Sequence, residues 1–187
     1  MMSRPERKSR IDPFLCLVAS KCYLMHQKKF DEAIKAATIA VDISHSCSSG
    51  DTNARAHHYL GLAFAEKARS GKTLLYQPQH LHNLNNIETN AETLKNLRAL
   101  ALDELNRARF LDPNNDNLLY DLSFIYAESR EIPLAIKTIR SSLKLSNGQP
   151  AKWHLLALLH TARRNYDAAL EVCEFMLKDG ANMGNLK

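Results

Sequence analysis

The sequence contains few of the residues that build turn-rich folds, thiol-based sites or membrane spans. Only six Gly and six Pro occur among 187 residues, which favours long helices over closely spaced turns. No apolar run approaches the ~20 residues that a membrane-spanning helix needs. The cysteines form no C-x-x-C pair, which argues against zinc-binding and thioredoxin-like motifs. They are Cys16, Cys22, Cys47 and Cys173. We expect Cys22 and Cys173, which lie in helical apolar patterns, to be buried thiols of a cytoplasmic protein.

Positive charge is concentrated at the amino terminus. The net charge is +5, and four basic residues against Glu6 place +3 of it within Met1–Arg10. We predict a disordered basic tail over residues 1–10, and the alternative is electrostatic contact with anionic lipid. The remainder is nearly neutral, so no binding of nucleic acid is expected. The apolar run Phe14–Ser20 is only as long as the shortest signal-peptide core before Lys21 ends it, and we favour a helix there.

A spacing of 34 residues relates the second half of the chain to itself. The related residues are Leu119 and Trp153, Leu122 and Leu156, Tyr126 and His160, and Ala101, Ala135 and Ala169. This period is typical of the tetratricopeptide repeat, in which antiparallel helix pairs stack on one another. We therefore predict an all-α fold, a right-handed α-solenoid of about four helix pairs over residues 11–180, with a short tail over 181–187.

Apolar and small residues recur at fixed positions within the predicted pairs. Small residues such as Ala157 and Ala169 let two helix backbones approach closely where they cross. Asn165 precedes the last helix and is expected to cap it. In the first pair, Ser20 fits the small position only if the turn at Gln27–Lys29 holds one extra residue. The predicted repeat core comprises Gly61, Ala101, Leu122, Tyr126, Ala135, Trp153, Leu156, Ala157 and Ala169.

The second pair departs from the regular spacing. Gly61 and Ala101 are 40 residues apart, whereas the matching small residues of the last pair are 12 apart, so an insertion of 28 residues is placed at about 69–92. Residues 69–88 are rich in Asn, Gln and His, which predicts a surface loop. A T-x-x-E capping box that starts at Thr89 predicts where the following helix begins.

Motifs for catalysis or cofactor binding are missing from the sequence. Gly71-Lys72-Thr73 lacks the Gly that a phosphate-binding loop requires five positions before Gly71, since Glu66 stands there. His80 and His82 have no carboxylate or Cys at ligand spacing, so we predict loop histidines and no metal site. No Ser or Cys lies in a nucleophile-elbow context. We expect a protein that is not an enzyme and needs no cofactor.

The predicted partner surface is the concave face, which the first helix of each pair lines in such stacks. The register assigns to it His58, Leu62, Asn117, Tyr120, Phe124, His154, Leu158 and Thr161. A clamp for an acidic tail would need Lys, Asn and Arg at positions that hold Asp121, Phe124, Ala151 and Leu155. Because the face is mainly apolar and aromatic, a helix or an extended apolar segment of another protein is the predicted partner.

Several tracts resemble one family of these repeat proteins. The segment Trp153–Glu174 reads WHLLALLHTARRNYDAALEVCE, and shorter tracts occur at Tyr59–Ala68, Ala101–Pro113 and Glu128–Ala135. They are similar to the tetratricopeptide-repeat scaffold subunits of the plasma-membrane phosphatidylinositol 4-kinase complex, the tetratricopeptide repeat protein 7 family. The resemblance implies a non-catalytic scaffold that helps bring the lipid kinase to the membrane with a palmitoylated peripheral anchor and a hyccin-type subunit. Such a scaffold meets the plasma membrane only through its partners.

The sequence is also compatible with other functions. The same family includes plant pollen-germination proteins that bind calmodulin, and Lys137, Arg140 and Lys144 beside Ile136 and Leu143 resemble a calmodulin-target helix. The repeat register, however, assigns that apolar side to the core. The alternatives to the kinase-complex scaffold are a generic repeat adaptor in trafficking or chaperone-linked complexes, and the repeat module of a longer enzyme.

Overall fold

Four helix pairs follow one another along the chain. The computed structural model describes residues 12–46, 50–75, 84–146 and 149–183. Within these ranges it contains eight α-helices, one π turn and no strand, which confirms the predicted all-α solenoid. The helices are α1 Pro13–Cys22, α2 Phe30–Ser46, α3 Gly50–Leu75, α4 Leu84–Leu111, α5 Asp116–Glu128, α6 Ile132–Leu145, α7 Pro150–Ala162 and α8 Tyr166–Met183. Each helix packs against the next one in sequence.

The ends of the predicted domain lie near the limits of the described chain. Residues 1–10, the predicted basic tail, are outside the described residues. The carboxyl-terminal tail was predicted to begin at residue 181, but α8 continues to Met183. Residues 184–187 are again outside the described part of the chain.

Polar side chains before the helices fix where three of them begin. The Asp12 carboxylate accepts a hydrogen bond from the backbone N–H of Phe14 at 2.9 Å, and the Asn115 side chain accepts from Leu118 at 3.1 Å. The predicted cap at Asn165 is confirmed, since its side-chain oxygen accepts from the N–H of Ala168 at 3.3 Å. Each oxygen pairs with a backbone donor that has no partner inside its own helix.

In the first, third and last pairs, the turn between the two helices contains one residue in the left-handed conformation. The residues are Lys28, Arg130 and Arg164, with φ of 50°, 65° and 60°. In the last pair the N–H of Asn165 then donates to the carbonyl of His160 at 2.9 Å, which closes a Schellman-type helix end. Each left-handed residue lies five positions before the small residue of the second helix, so the turns follow the same register as the core.

The first pair contains the extra residue that its spacing predicts, in a π turn at Tyr23–Gln27. The N–H of Lys29 reaches back six residues to the carbonyl of Tyr23 at 3.1 Å, one more than the reach of Asn165 in the last pair. The wider turn keeps Ser20 at the helix crossing, where its hydroxyl donates to the carbonyl of Ala33 at 3.0 Å. The single extra residue thus changes the end of α1 and leaves the register of α2 intact.

Helices extend into the long insertion of the second pair from both sides. The predicted loop over residues 69–88 is wrong where the structure describes it, because α3 continues to Leu75 and α4 begins at Leu84. The capping box at Thr89 therefore lies inside α4 rather than at its start. α3 and α4 pack together there, since a Cβ added to Gly71 on α3 would stand 2.5 Å from Cδ2 of the buried Leu94 on α4. In the described parts of the insertion the polar residues therefore lie on helices, which composition alone did not distinguish from a loop.

The core consists of two clusters. The larger joins residues of α3–α7, and the smaller joins α1, α2 and α3. Phe64 packs against both and links them. The closest crossing lies at Gly61, where an added Cβ would stand 2.7 Å from Cγ of the fully buried Leu105 and 3.1 Å from the backbone oxygen of Ala101. Gly61 therefore lets α3 approach α4 more closely than any larger residue would.

The cysteine prediction is corrected by the structure. Cys22 and Cys173 are both exposed rather than buried, and Cys16 is half-buried. Cys22 lies on the outer side of α1 and Cys173 on the outer side of α8. These are the first and last helices of the stack, so no neighbouring helix among the described residues covers those sides.

Candidate partner-binding groove

The predicted partner surface lies on three first helices that stand side by side. α3 contacts α5, and α5 contacts α7. All eight predicted surface residues lie on these helices, as does most of the predicted repeat core. We call the surface that α3, α5 and α7 share the groove.

A histidine–carboxylate pair joins α3 to α5 within the groove. His58 Nε2 on α3 lies 2.8 Å from Asp121 Oδ2 on α5, and the His58 ring stacks on Tyr59 with centroids 5.9 Å apart. The side chains of His58 and Asp121 are only 14% and 29% exposed. His58 was predicted as a partner contact, but in the structure it joins two helices of the same chain.

An arginine joins the same two helices, α3 and α5, nearer their carboxyl ends. Arg69 Nε donates to Glu128 Oε1 at 2.9 Å, and its guanidinium also pairs with Glu66. Burial alone would lower the pKa of Arg69, but Glu128 and Glu66 together raise it, so the group stays charged. Its Cζ lies 4.9 Å from the centre of the Phe124 ring, within the range of a cation–π contact. Arg69 therefore lies against one face of the Phe124 ring.

Tyr120 differs from its predicted role. The register turned it away from the helix-pair core, yet the structure packs it, half-buried, against the larger core cluster. The reason is that α5 contacts α3, α4, α6 and α7, so little of its circumference remains free. Tyr120 contributes to the packing of the stack as well as to the groove.

The remaining groove residues differ in exposure. Phe124 and Leu158 are 39% and 52% exposed, which is high for large apolar side chains. Leu62 is half-buried, while Asn117, His154 and Thr161 are exposed. The Thr161 hydroxyl donates to the carbonyl of Ala157 at 3.0 Å, so its proton is already engaged. Phe124 and Leu158, on neighbouring helices, are the most exposed apolar groups of the groove.

The predicted repeat-core residues lie mainly in the buried contacts between the helices. Trp153 is half-buried, with its ring 4.7 Å from that of Phe175. The Tyr126 hydroxyl donates to Asn106 Oδ1 at 3.1 Å. The other core residues are buried, namely Gly61, Ala101, Leu122, Ala135, Leu156, Ala157 and Ala169. They hold the first helices at the separation that forms the groove.

A basic cleft of about 450 Å³ lies between α6 and the end of α7. It is lined by Pro133, Ile136, Lys137, Arg140, Ser141, Lys144 and Arg163. Ile136 and Leu143, the apolar half of the possible calmodulin target, are 6% and 5% exposed. A calmodulin complex of the usual kind would need that side of α6 to be uncovered, and the folded chain keeps it packed.

A second cleft, of about 440 Å³, was not anticipated from the sequence. Its wall includes Phe110, which is 87% exposed. Beside it His57 Nδ1 lies 2.6 Å from Glu104 Oε2, and the His57 ring meets that of His45 edge-on at 5.6 Å. Phe110 does not fit the spacing of the buried apolar residues of α4. That mismatch is the feature of the sequence from which an exposed aromatic side chain could have been predicted here. The described residues contain no cluster of three or more potential metal ligands.

The register, the left-handed turns and the stacked first helices together define a tetratricopeptide-repeat solenoid. A crystal structure of MamA has the same fold, with a TM-score of 0.66 over 92% of this chain and 81% of that one, at 17% identity. No family model matches the chain. Human tetratricopeptide repeat protein 7B is 27% identical over 168 residues, and human tetratricopeptide repeat protein 7A is 25% identical over 175. These alignments cover 90% and 94% of this chain and 18% of each relative.

The likeness to MamA, at 17% identity, shows the fold of the chain and no more. Within the described residues, no helix has the length and apolar character required to cross a membrane.

Proposed function

We propose that the chain is a non-catalytic interaction scaffold that helps assemble or localise a phosphatidylinositol 4-kinase complex at the plasma membrane. The observation that carries the scaffold function is the groove, in which Phe124 and Leu158 stay exposed on adjacent first helices. In this role the partner kinase supplies the lipid chemistry, and the chain is cytoplasmic and reaches the membrane only peripherally through its partners.

The chemistry of the groove favours an apolar ligand. Its charged groups are already paired across α3 and α5, as His58 with Asp121 and Arg69 with Glu128. A ligand that competed for these charges would have to break existing pairs, so its affinity must come mainly from apolar contact. The Arg69 guanidinium lies against one face of the Phe124 ring, so a ligand would pack against the part of the ring that stays exposed. The partner segment is therefore an amphipathic helix or an extended strand with apolar side chains spaced to meet Phe124 and Leu158.

Sequence similarity supports the kinase complex as the setting. The tract Trp153–Glu174 resembles its scaffold subunits, and similarity to the tetratricopeptide repeat 7 proteins extends over nine-tenths of this chain. The chain spans 18% of the length of those relatives. We therefore propose that it makes only some of the contacts of such a scaffold. A generic repeat adaptor is the second candidate, because the same groove suits any apolar segment.

Binding by the groove is tested with the double variant Phe124→Ala, Leu158→Ala. Both side chains are partly exposed, so the fold should persist, whereas loss of two interfacial apolar anchors should weaken capture of partners at least about tenfold. Leu134→Ala is the matched control, because Leu134 is 42% exposed on α6 and lies outside the groove. Partners are recovered by affinity purification from cells and identified by mass spectrometry, and circular dichroism confirms the fold of each variant.

Two outcomes of this experiment separate the parts of the proposal. A folded double variant that recovers the same partners at wild-type levels would show that the groove is not the binding surface. If the wild-type chain recovers groove-dependent partners but no phosphatidylinositol 4-kinase subunit, the kinase-complex role is wrong and the generic adaptor stands.

A further inference from the structure

The last helix carries an exposed apolar stripe. Tyr166, Leu170 and Leu177 on α8 are 58%, 60% and 74% exposed, and Cys173 between them is also exposed. Their spacing of four, three and four residues places them on one face of the helix. A row of this kind on a folded helix marks a surface built for packing rather than for water.

The repeat register shows what this surface does elsewhere in the chain. The residues 34 positions earlier, on α6, are Ile132, Ile136, Ile139 and Leu143. All four belong to or pack against the larger core cluster, which also holds Leu155 and Leu159 of α7. On α6 the same positions thus form the surface that the first helix of the next pair covers. On α8 they are uncovered.

The first helix exposes the complementary surface. Leu15 and Val18 on α1 are 64% and 44% exposed, and Cys22 is exposed. When Ser20 is aligned with Ala157, these positions match Lys152, Leu155 and Leu159 on α7, in the same order. Those three α7 residues are 0%, 6% and 3% exposed, where α7 packs on the preceding pair. The outer side of α1 therefore has the same position in the repeat as a surface that is buried inside the stack.

Charges at the two ends are compatible with direct contact. Inside the chain, Lys152 reaches across the junction to Asp116 at 2.6 Å, and the matching residues at an end-to-end junction are the apolar Leu15 and Pro150. No charge would be buried there. Beside the stripe, α8 carries the exposed Glu171 and Glu174 at the positions of Lys137 and Arg140.

Within the chain, Lys137 and Arg140 face the like-charged Arg163 across the basic cleft. The turn after α1 places the exposed Lys28 next to the corresponding position, so an end-to-end junction would bring opposite charges together.

We propose that two copies of this chain associate head to tail, with α8 of one copy packed against α1 of the next. The contact continues the stacking that already joins α6 to α7. Because the two surfaces differ, the contact is heterologous, and it leaves one free α1 and one free α8 at the ends of each assembly. Association by this route leaves the groove on α3, α5 and α7 uncovered, so it does not depend on the proposed function.

The proposal is tested with one charge at each end. Leu15→Glu blocks the α1 surface and Leu170→Glu blocks the α8 surface, and both positions are exposed in the single chain, so neither change should unfold it. Light scattering after gel filtration should show the wild-type mass rising above the 21.1 kDa of one chain as concentration increases. Each variant alone should stay at one chain. An equimolar mixture of the two should form a dimer and nothing larger, because only one compatible junction remains.

Controls keep the test independent of folding defects. Leu134→Glu, at a 42% exposed position away from both ends, should associate as the wild type does. Val18→Glu with Leu177→Glu repeats the mixing experiment at neighbouring positions. A wild-type chain that remains a monomer at every concentration overturns the proposal. Self-association of Leu15→Glu alone, or a mixture of folded variants that gives only monomers, also overturns it, since either result excludes the α8-to-α1 contact.

Discussion

Lys152 Nζ lies 2.6 Å from Asp116 Oδ2, and the lysine side chain is completely buried where α7 packs against α5. Asp116 is 27% exposed, so the two partners differ in their access to water. The Lys152 hydrogen bond is the main cause that lowers the pKa of Asp116 below its usual range, although partial burial opposes it. The pair occupies the junction between the third and fourth helix pairs.

This asymmetry predicts unequal effects of removing either partner. Asp116→Ala leaves a buried ammonium without a counter-charge and should lower the free energy of unfolding by about 3 kcal/mol. Lys152→Met replaces the buried cation by an apolar chain of similar length and leaves a carboxylate that water can reach, so stability should stay within about 1 kcal/mol of wild type. Urea unfolding measures both, and equal losses would contradict the proposed asymmetry.

The same pair predicts a dependence on pH. Because the pKa of Asp116 is lowered in the folded state, its contribution to stability is present above the unfolded pKa of ~3.9 and is lost as pH falls through the lower folded value. In Asp116→Asn this acid-induced loss should be smaller than in the wild type, in unfolding curves recorded between neutral and acidic pH.

Gly61 and Gly71 should respond differently to the same substitution by Ala. At Gly61 an added Cβ would meet the buried Leu105 and the backbone oxygen of Ala101, neither of which can move freely. Gly61→Ala should lower stability by about 1–2 kcal/mol, even though Ala is the better helix former by ~1 kcal/mol. At Gly71 the added Cβ would meet only the end of the Leu94 side chain, which can rotate.

Gly71→Ala should therefore stay within about 1 kcal/mol of wild type, because the gain in helix propensity offsets the rotation of Leu94. Thermal unfolding by circular dichroism compares the two variants directly. A Gly61→Ala chain as stable as the wild type would show that α3 and α4 do not cross as closely as the structure indicates.

The helix pairs could be predicted from the sequence because their cause is local. Small residues such as Ala135 and Ala169 recur wherever two backbones cross, and this pattern is visible without coordinates. The single extra residue before α2 was also predictable, because Ser20 and Ala33 are separated by one residue more than Ala157 and Ala169. Both features depend on neighbours within one helical pair.

The contacts between pairs could not be predicted in the same way. His58 and Asp121 are 63 residues apart, and only the stacking of α3 on α5 brings them together. Lysine is a residue type that is usually exposed. Lys152 is nevertheless buried, because its ion-pair partner Asp116 lies on the preceding helix pair. Tyr120 was assigned to the groove from helix periodicity alone, which does not include the helices that cover α5 from the side.

His160 predicts a second dependence on pH. It is buried, its Nδ1 has no hydrogen-bond partner among the described residues, and its Nε2 lies 3.4 Å from a nitrogen of Arg140. Burial, then the charges of Arg140 and Arg163, lower the pKa of His160 below its usual value. As pH falls below ~6.5 the unfolded chain gains a proton that the folded chain does not, so the free energy of unfolding should fall.

The substitution His160→Tyr should reduce this loss, because the matching position of the preceding pair accommodates Tyr126 and a tyrosine hydroxyl gains no proton in this pH range. Stability measured between about pH 7.5 and 5.5 compares the variant with the wild type. His154→Gln, an exposed change on the same helix, is the control and should keep the wild-type slope. A His160→Tyr chain with an unchanged slope would mean that another group causes the loss.

The three described cysteines should differ in their reaction with iodoacetamide. Burial, then the negative charge of Asp12, raises the pKa of the Cys16 thiol, so less of it is thiolate at a given pH. Cys22 and Cys173 are exposed, whereas Cys16 is half-buried. Limited alkylation of the dilute chain at mildly alkaline pH, followed by peptide mass spectrometry, should therefore label Cys16 most slowly of the three.

Asp12→Asn separates the charge effect from burial. Asn is as good a helix cap as Asp, so α1 should keep its start at the Phe14 N–H while the negative charge is lost. The pKa of Cys16 should then fall, and its alkylation rate at the same pH should rise, without a change at Cys173. If Cys16 reacts as fast as Cys22 in the wild type, or if its rate does not respond to Asp12→Asn, the burial and the charge contact at the start of α1 are not as the structure shows.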